Sequence, residues 1–456
     1  MRAQAIDRTQ LEELLAVERS THEERNPGSR VRYEAGTHLV GQVPMTWMNH
    51  WSGGFPLYLE AAWGNRIIDV DGHEYIDFAL GDTGAMAGHS PAPTVEALAR
   101  RGGELGGITT MLPTDDAEWV AEELSRRFSM ARWSFALSAT DANRWALRLA
   151  RLLTGRPKIL VFSYCYHGSV DETFVVVGPD GRPRSRPGNV APAVDPISTT
   201  RVVEFNDLDA LAAELASGDV AAVLCEPALT NIGIVLPDDG FHRELRRLTR
   251  DAGTLLMIDE THTFSAGWGG ATTAMGLEPD IVTIGKSIGG GVPCGAYGLS
   301  ADLVPLLAAA VDQGADIVDV GGVGGTLAGN ALSTAAMRAT LGEVLTPAAF
   351  EHMISLADRF TEGVQEVLDA TKVPWSIQQL GARAEYRFVD PAPRNGGESA
   401  AAHDAAIEEY LHLFLSNRGV LITPFHNMAL MCPTTTAADV DRHSELFSQA
   451  VAELIG

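Results

Sequence analysis

Between Val120 and Ser300 the chain alternates short apolar runs with amphipathic helical patterns, and few architectures accept that alternation. The candidate strands are Trp133–Leu137, Lys158–Ser163, Ala221–Glu226, Thr254–Glu260, Asp280–Gly285 and Ala296–Ser300. One helix between them, Asp141–Leu153, places Ala142, Trp145, Ala146, Leu149 and Leu153 on one face. Another, Phe241–Ala252, turns Phe241, Leu245, Leu248 and Ala252 inward and stops at Gly253. Strands that are apolar along their whole length are covered on both faces. The pattern therefore predicts an α/β fold with a mostly parallel central sheet under helices. Ligands of such sheets collect at the carboxyl ends of the strands. The residues that end these strands are where chemistry is expected.

The 456 residues are enough for two domains with a large core. After about Leu341 the character changes: helical patterns over Pro347–Leu368 and Ala401–Arg418 flank short strands at Ala382–Val389 and Val420–Pro424. Ile67–Phe78 reads as a hairpin with Asp71-Gly72 at its turn. We expect residues 86–340 to form a large domain and 341–456 a smaller α+β domain, which 1–85 join. Near the start, Asp7 or Thr9 could cap a helix that turns Leu11, Leu14, Leu15 and Val17 inward. Gly181–Thr200, rich in Pro, Arg, Gly and Ser, reads as a long loop and a candidate lid.

A net charge of −25 argues against a nucleic-acid partner. No apolar run reaches membrane-spanning length. The charged, amphipathic N-terminus does not read as a secretory signal. The four cysteines, Cys165, Cys225, Cys294 and Cys432, form no CxxC pair, so reduced thiols in a cytoplasmic protein are expected. No His/Cys cluster has metal-ligand spacing.

Five strand-end motifs could carry chemistry, and each also has a plain structural reading. Ser138 and Asp141 make a capping box, and a helix start entered through Ser138-Ala139-Thr140 also presents free N–H groups to a phosphate. Tyr166, in Cys165-Tyr-His-Gly168, could stack on a flat ring or simply close a turn. Glu226 and Asn231 put a carboxylate and an amide just past a strand; both could be loop caps. Asp259 ends a wholly apolar strand, where a carboxylate is costly unless paired. It could cap a turn, or it could pair with a protonated pyridine nitrogen. Lys286 ends the next strand, before Ser287-Ile-Gly-Gly-Gly291. Only three of the 34 basic residues are lysines (Lys158, Lys286, Lys372), which leaves 34 − 3 = 31 arginines for surface charge. Unlike arginine, a lysine can lose its proton and become a nucleophile; alone it could also snorkel to solvent.

In this order the motifs resemble those of the class III aminotransferases, fold-type I enzymes that use pyridoxal 5'-phosphate (PLP). Within them the chain is similar to the glutamate-1-semialdehyde aminomutase-like group, which includes β-amino acid and ω-transaminases. The segments that carry the resemblance are Ile67–Gly88, Ser138–Ala142, Tyr166-His-Gly168, Glu226-Pro227, Ile258-Asp-Glu260, Gly285–Gly291 and Gly325-Thr-Leu-Ala-Gly-Asn330. The resemblance implies that Lys286 is the Schiff-base lysine and proton shuttle and that Asp259 pairs with the pyridine nitrogen. It implies that Tyr166 and Thr261 lie on the two ring faces, with Asn231 at the phenolic oxygen. Ser138, Ala139 and Thr140 form the phosphate turn, and His167 and Glu226 fall within the cofactor-binding segments. Thr326 would complete the phosphate site of a partner subunit, so a homodimer with shared sites is expected.

Two departures concern the substrate. The group grips a carboxylate with an arginine in the N-terminal segment, and the matching Pro44–Trp51 stretch has none. A second family arginine falls on Phe425. Trp47, Trp51 and Phe425 are therefore expected to line an apolar pocket, with Arg383 or Arg387 as the carboxylate partner. This reading favours a transaminase that moves an amino group from an apolar or aromatic amine to a keto acid such as pyruvate. The alternative is a glutamate-1-semialdehyde 2,1-aminomutase-like enzyme or a β-amino acid aminotransferase. A PLP-fold subunit without catalysis would be expected to lack the lysine.

Overall fold

The structure is a computed structural model that describes residues 6–456. Residues 1–5 of the expected N-terminal segment lie outside the described residues. The described residues divide into two compact units: residues 91–350 with 393–401, and residues 6–90 with 351–392 and 402–456.

The larger unit is built on seven strands: β1 Arg132–Ala136, β2 Lys158–Phe162, β3 Thr200–Val203, β4 Val220–Cys225, β5 Leu255–Asp259, β6 Ile281–Gly285 and β7 Gly295–Leu299. Their order across the sheet is β1-β7-β6-β5-β4-β2-β3. β4 and β6 are buried along their whole length, as their unbroken apolar sequences require. All neighbours from β3 to β6 pair in parallel. β7 does not: it runs antiparallel to both β6 and β1. The reason is the link between β6 and β7, nine residues from Lys286 to Cys294, too short for the dozen or more that a parallel crossover needs.

Sequence reading also misses β3. It begins at Thr200, the last residue of the Gly181–Thr200 segment, and within that segment Pro183–Ser185 pairs with Val175–Val177 upstream. Helix α1, Ala139–Thr154, buries Ala142, Asn143, Ala146, Leu147, Leu149 and Ala150. The expected Phe241 helix spans Phe241–Asp251. Residues 393–401, expected with the C-terminal domain, pack with the larger unit: Arg394 O accepts from Asn206 Nδ2 at 2.8 Å and Gly397 N donates to Glu204 Oε2 at 3.2 Å.

In the smaller unit the expected hairpin joins Arg66–Asp69 to Glu74–Asp77, with Gly72 at φ +85°. Asp69 Oδ1 accepts the N–H groups of Asp71 and His73 and fixes that turn. A second sheet pairs Arg383–Arg387 with Ser376–Leu380 and Met428–Leu430. Asp7 caps the first helix, Arg8–Arg25. Leu11 and Leu15 face inward, whereas Val17 is exposed. The inward stripe at spacings of four and three continues through Glu18 and His22, and Glu18 is anchored there by Arg418 and Asn417. Where a continuous helix over Ala401–Arg418 was expected, the chain forms Gly396–Ala401 and Ala405–Ser416. Asp404 caps the second of these through Ile407 N. Among the described residues no helix is long and apolar enough to cross a membrane, and no group of three or more His, Cys, Asp or Glu side chains could hold a metal ion.

Candidate active site

The carboxyl ends of β5 and β6 lie side by side, because Asp259 pairs with Thr283 in parallel register. Asp259 thus ends β5 level with a position three residues before Lys286, the residue after β6. Asp259 is buried and accepts from three donors. Asn143 Nδ2 and His167 Nδ1 donate to its Oδ2 at 2.8 and 2.9 Å, and Thr261 N donates to its Oδ1 at 3.0 Å. Burial alone would push this carboxyl up. The bonds from His167, Thr261 and Asn143 outweigh burial and hold it well below the usual carboxylate range. Burial likewise opposes charge on His167, yet its contacts with Cys165 and Asp259 raise it well above the ordinary histidine value. Each group thus favours the charged form of the other.

Asn143 is the residue that sequence reading overlooks. It sits in the first turns of α1 on an otherwise apolar face. Besides Asp259, its Nδ2 donates to the carbonyl of His167 at 3.1 Å, and its Oδ1 accepts from Thr283 Oγ1 at 2.6 Å. One side chain thus ties together α1, the turn after β2, β5 and β6. The only signal in the sequence is an amide on a helix face otherwise built of alanine and leucine.

The α1 start is pressed onto the sheet. A Cβ on Gly285 would stand 2.8 Å from Ala139 N, and one on Gly295 would stand 2.5 Å from the Ser138 carbonyl oxygen. Ser138 caps the helix by accepting from Asp141 N at 3.2 Å. Gly168, at φ +78°, lies so close to Thr140 that a Cβ would come within 2.1 Å of its Oγ1. Thr140 Oγ1 also accepts from Ser169 N at 3.1 Å, which joins the turn after β2 to the helix N-terminus.

Tyr166, half-buried on the same turn, meets Phe174 edge to face at 6.1 Å. Glu226, past β4, is buried and accepts from Thr230 Oγ1. Among the described residues, Asn231 Nδ2 and Thr261 Oγ1 are buried without a hydrogen-bond partner. Lys286 has φ +50° and opens a short 3₁₀ turn. Its Nζ lies 2.8 Å from Nε2 of His262, a second residue that sequence reading overlooks. Thr326 lies on an exposed turn, and among the described residues no hydrogen bond joins it to this cluster.

In the smaller unit, Trp47 meets Phe425 edge to face with ring centroids 5.7 Å apart, and His50 does the same from another side. Trp51 has a different setting: it lines a small cavity with His22, Ser52 and His412. Arg383 is fully buried and donates from Nη2 to Thr83 Oγ1 at 2.6 Å. Glu385 and Arg387 follow on the same face of the strand, 3.9 Å apart, and His426 Nδ1 is 3.4 Å from Glu385 Oε1.

Residues 47–451 match the family model described as "Aminotransferase class-III". Glutamate-1-semialdehyde 2,1-aminomutase of Chloroflexus aggregans is 34% identical over 417 residues, which cover 88% of this chain and 92% of that relative. Among solved structures, a glutamate-1-semialdehyde-aminomutase from Pseudomonas aeruginosa PAO1, a lysine-to-alanine variant in complex with PMP, is 48% identical with a TM-score of 0.95, covering 98% of this chain and 99% of that one. An omega-transaminase from Sphaerobacter thermophilus is 28% identical with a TM-score of 0.85, covering 95% and 100%. The fold is thus that of the fold-type I PLP transferases, and the chain belongs to the class III aminotransferases, enzymes that work with PLP.

Proposed function

We propose that this enzyme moves an amino group between neighbouring carbons of a single carboxylated substrate, a glutamate-1-semialdehyde 2,1-aminomutase-like reaction. The observation that carries this reading is the 48% identity, over 98% of the chain, to a structure named as such an aminomutase, against 28% for the omega-transaminase. It reverses the preference for an apolar amine donor that the missing arginines suggest.

The residues present fit PLP. Asp259 is buried and held as a carboxylate by three donors, and Oδ1, with one of them, keeps acceptor capacity for a pyridine N–H. Asn231 Nδ2 and Thr261 Oγ1 have no hydrogen-bond partner among the described residues, and both suit polar atoms of a bound ring. The free N–H groups of Ala139 and Thr140 begin a 16-residue helix, a setting that favours a phosphate. We assign Tyr166 to one ring face and Thr326 to the phosphate of a partner subunit in a homodimer. When bound, the cofactor supplies a carbonyl that takes up an amine and a ring that spreads the electrons of a broken C–H bond.

The chain's own residues do the rest. Lys286 Nζ accepts a proton from one substrate carbon and returns it to another. Asp259 holds positive charge at the ring nitrogen, and Asn143 and His167 hold Asp259. Arg383, whose guanidinium offers planar paired donors, is the candidate for the substrate carboxylate.

A second reading, amine:keto-acid transamination, is favoured by the aromatic pair Trp47–Phe425, where the group carries an arginine. The two differ in a simple requirement. A mutase rearranges one substrate, whereas a transaminase needs a donor and a separate acceptor. Incubation with glutamate-1-semialdehyde alone should give its isomer, with the amino group shifted by one carbon, over many turnovers without added keto acid. If no isomer forms while 1-phenylethylamine and pyruvate turn over, the second reading replaces the first.

A further inference from the structure

Lys286 has a basic neighbour of its own. His262 leaves β5 three residues after Asp259, is buried, and brings Nε2 to 2.8 Å from Lys286 Nζ. A contact of that length between two nitrogen bases holds one proton. Either an ammonium donates to a neutral imidazole, or an imidazolium N–H donates to a neutral amine. Nothing else is needed to pass from one arrangement to the other than a shift of that proton along the bond. Histidine is suited to the exchange, because its ring gains and loses a proton near neutrality. A glutamine in its place could accept a hydrogen bond but could not take the proton.

We propose that His262 is the proton partner of Lys286: it takes a proton from Nζ and so presents the lysine as a neutral amine, the form that can bond to a carbonyl carbon or accept a proton from a substrate carbon. The proton leaving Nζ goes to Nε2 and returns when Nζ next gives up a bond, so no co-reactant is consumed. His262 acts through Lys286 and need not touch the substrate. The inference rests on the reading of Lys286 as the reacting amine.

The scarcity of lysine makes the test direct. The full chain is loaded with pyridoxamine phosphate, whose amine cannot bond to the lysine. It is then acylated near neutral pH with a trace amine-selective reagent, and labelling of Lys286 is read by peptide mass spectrometry against Lys158 and Lys372 in the same molecule. In His262→Gln we expect the Lys286:Lys158 labelling ratio to fall about a hundredfold, the low end of what a positioned base supplies. A ratio within about threefold of wild type overturns the proposal, because a hydrogen-bond partner alone then suffices. His262→Asn is read in the same way should the glutamine variant not fold. Loading with PLP instead must protect Lys286 from the label in wild type. Failure of that arm overturns Lys286 as the cofactor lysine, separately from any role of His262.

Discussion

Asn143→Ala tests whether the amide is the brace of the site. The side chain is wholly buried and makes three hydrogen bonds: to Asp259 Oδ2 (2.8 Å), to the His167 carbonyl (3.1 Å) and from Thr283 Oγ1 (2.6 Å). The bond to Asp259 involves a charged group and is worth about 1.5–3 kcal/mol. The Thr283 hydroxyl and the His167 carbonyl are then left buried without this partner, at about 1 kcal/mol each. Together the loss is about 4 kcal/mol, large against a total stability of about 5–15 kcal/mol. The assay is urea unfolding of the cofactor-free protein followed by circular dichroism, with the slope compared to confirm that the same surface unfolds. A second measurement isolates the contact with Asp259. In a cycle with Asp259→Asn the two effects should fall short of additivity by about 1.5–3 kcal/mol. A single-variant loss below about 1 kcal/mol, or strict additivity, would show that the cluster is not braced through Asn143.

Four further outcomes are expected. Lys286→Ala should remain folded and bind cofactor yet fail to turn over; steady-state activity above a tenth of wild type would remove Lys286 from its role. Because the folded-state value of His167 is raised, its contribution to stability is complete below its unfolded value, about 6.5, and is lost as pH rises through the folded one. Unfolding of cofactor-free protein should therefore show an alkaline-side loss that His167→Asn flattens, and an unchanged slope in the variant refutes the ion pair. Gly168→Ala strains a position at φ +78° and drives a methyl into Thr140, at about 1–3 kcal/mol, so PLP affinity by equilibrium dialysis should fall roughly tenfold or more. Phe425→Arg should shift kcat/KM towards carboxylated substrates; no shift would show that Phe425 does not meet the substrate.

What could be read in the sequence, and what could not, follows from how each feature is encoded. β2, β4, β5 and β6 are almost wholly apolar runs, a signal that depends on no partner, and their observed limits lie within a residue or two of the expected ones. β3 is only four residues long and follows a proline-rich segment, so its strand character comes from pairing with β2. The direction of β7 follows from the sequence once β6 and β7 are placed: a nine-residue link cannot hold a crossover helix. Val17 was misplaced because apolar character was allowed to outvote helical spacing, which puts Glu18 inward instead.

The site divides along the same line. Asp259 and Lys286 stand out because each interrupts or ends an apolar strand, where a charge demands an explanation. Asn143 and His262 do not stand out. One is a small amide on a helix, the other a histidine in a turn, and both residue types are common in those places for ordinary reasons. Their meaning is relational. Asn143 matters because β6 brings Thr283 beside β5, and His262 matters because the parallel register sets Asp259 level with Thr283, so that the residues three positions further on from each, His262 and Lys286, meet. The residues expected to touch the cofactor are encoded one at a time, by what is unusual about each position. The residues that hold those groups in a given protonation state are encoded only by the fold. That is why the polar shell around Asp259 and Lys286, rather than the pair itself, is what the structure adds, and why the reactivity of Lys286 should answer to a substitution 24 positions away in the chain.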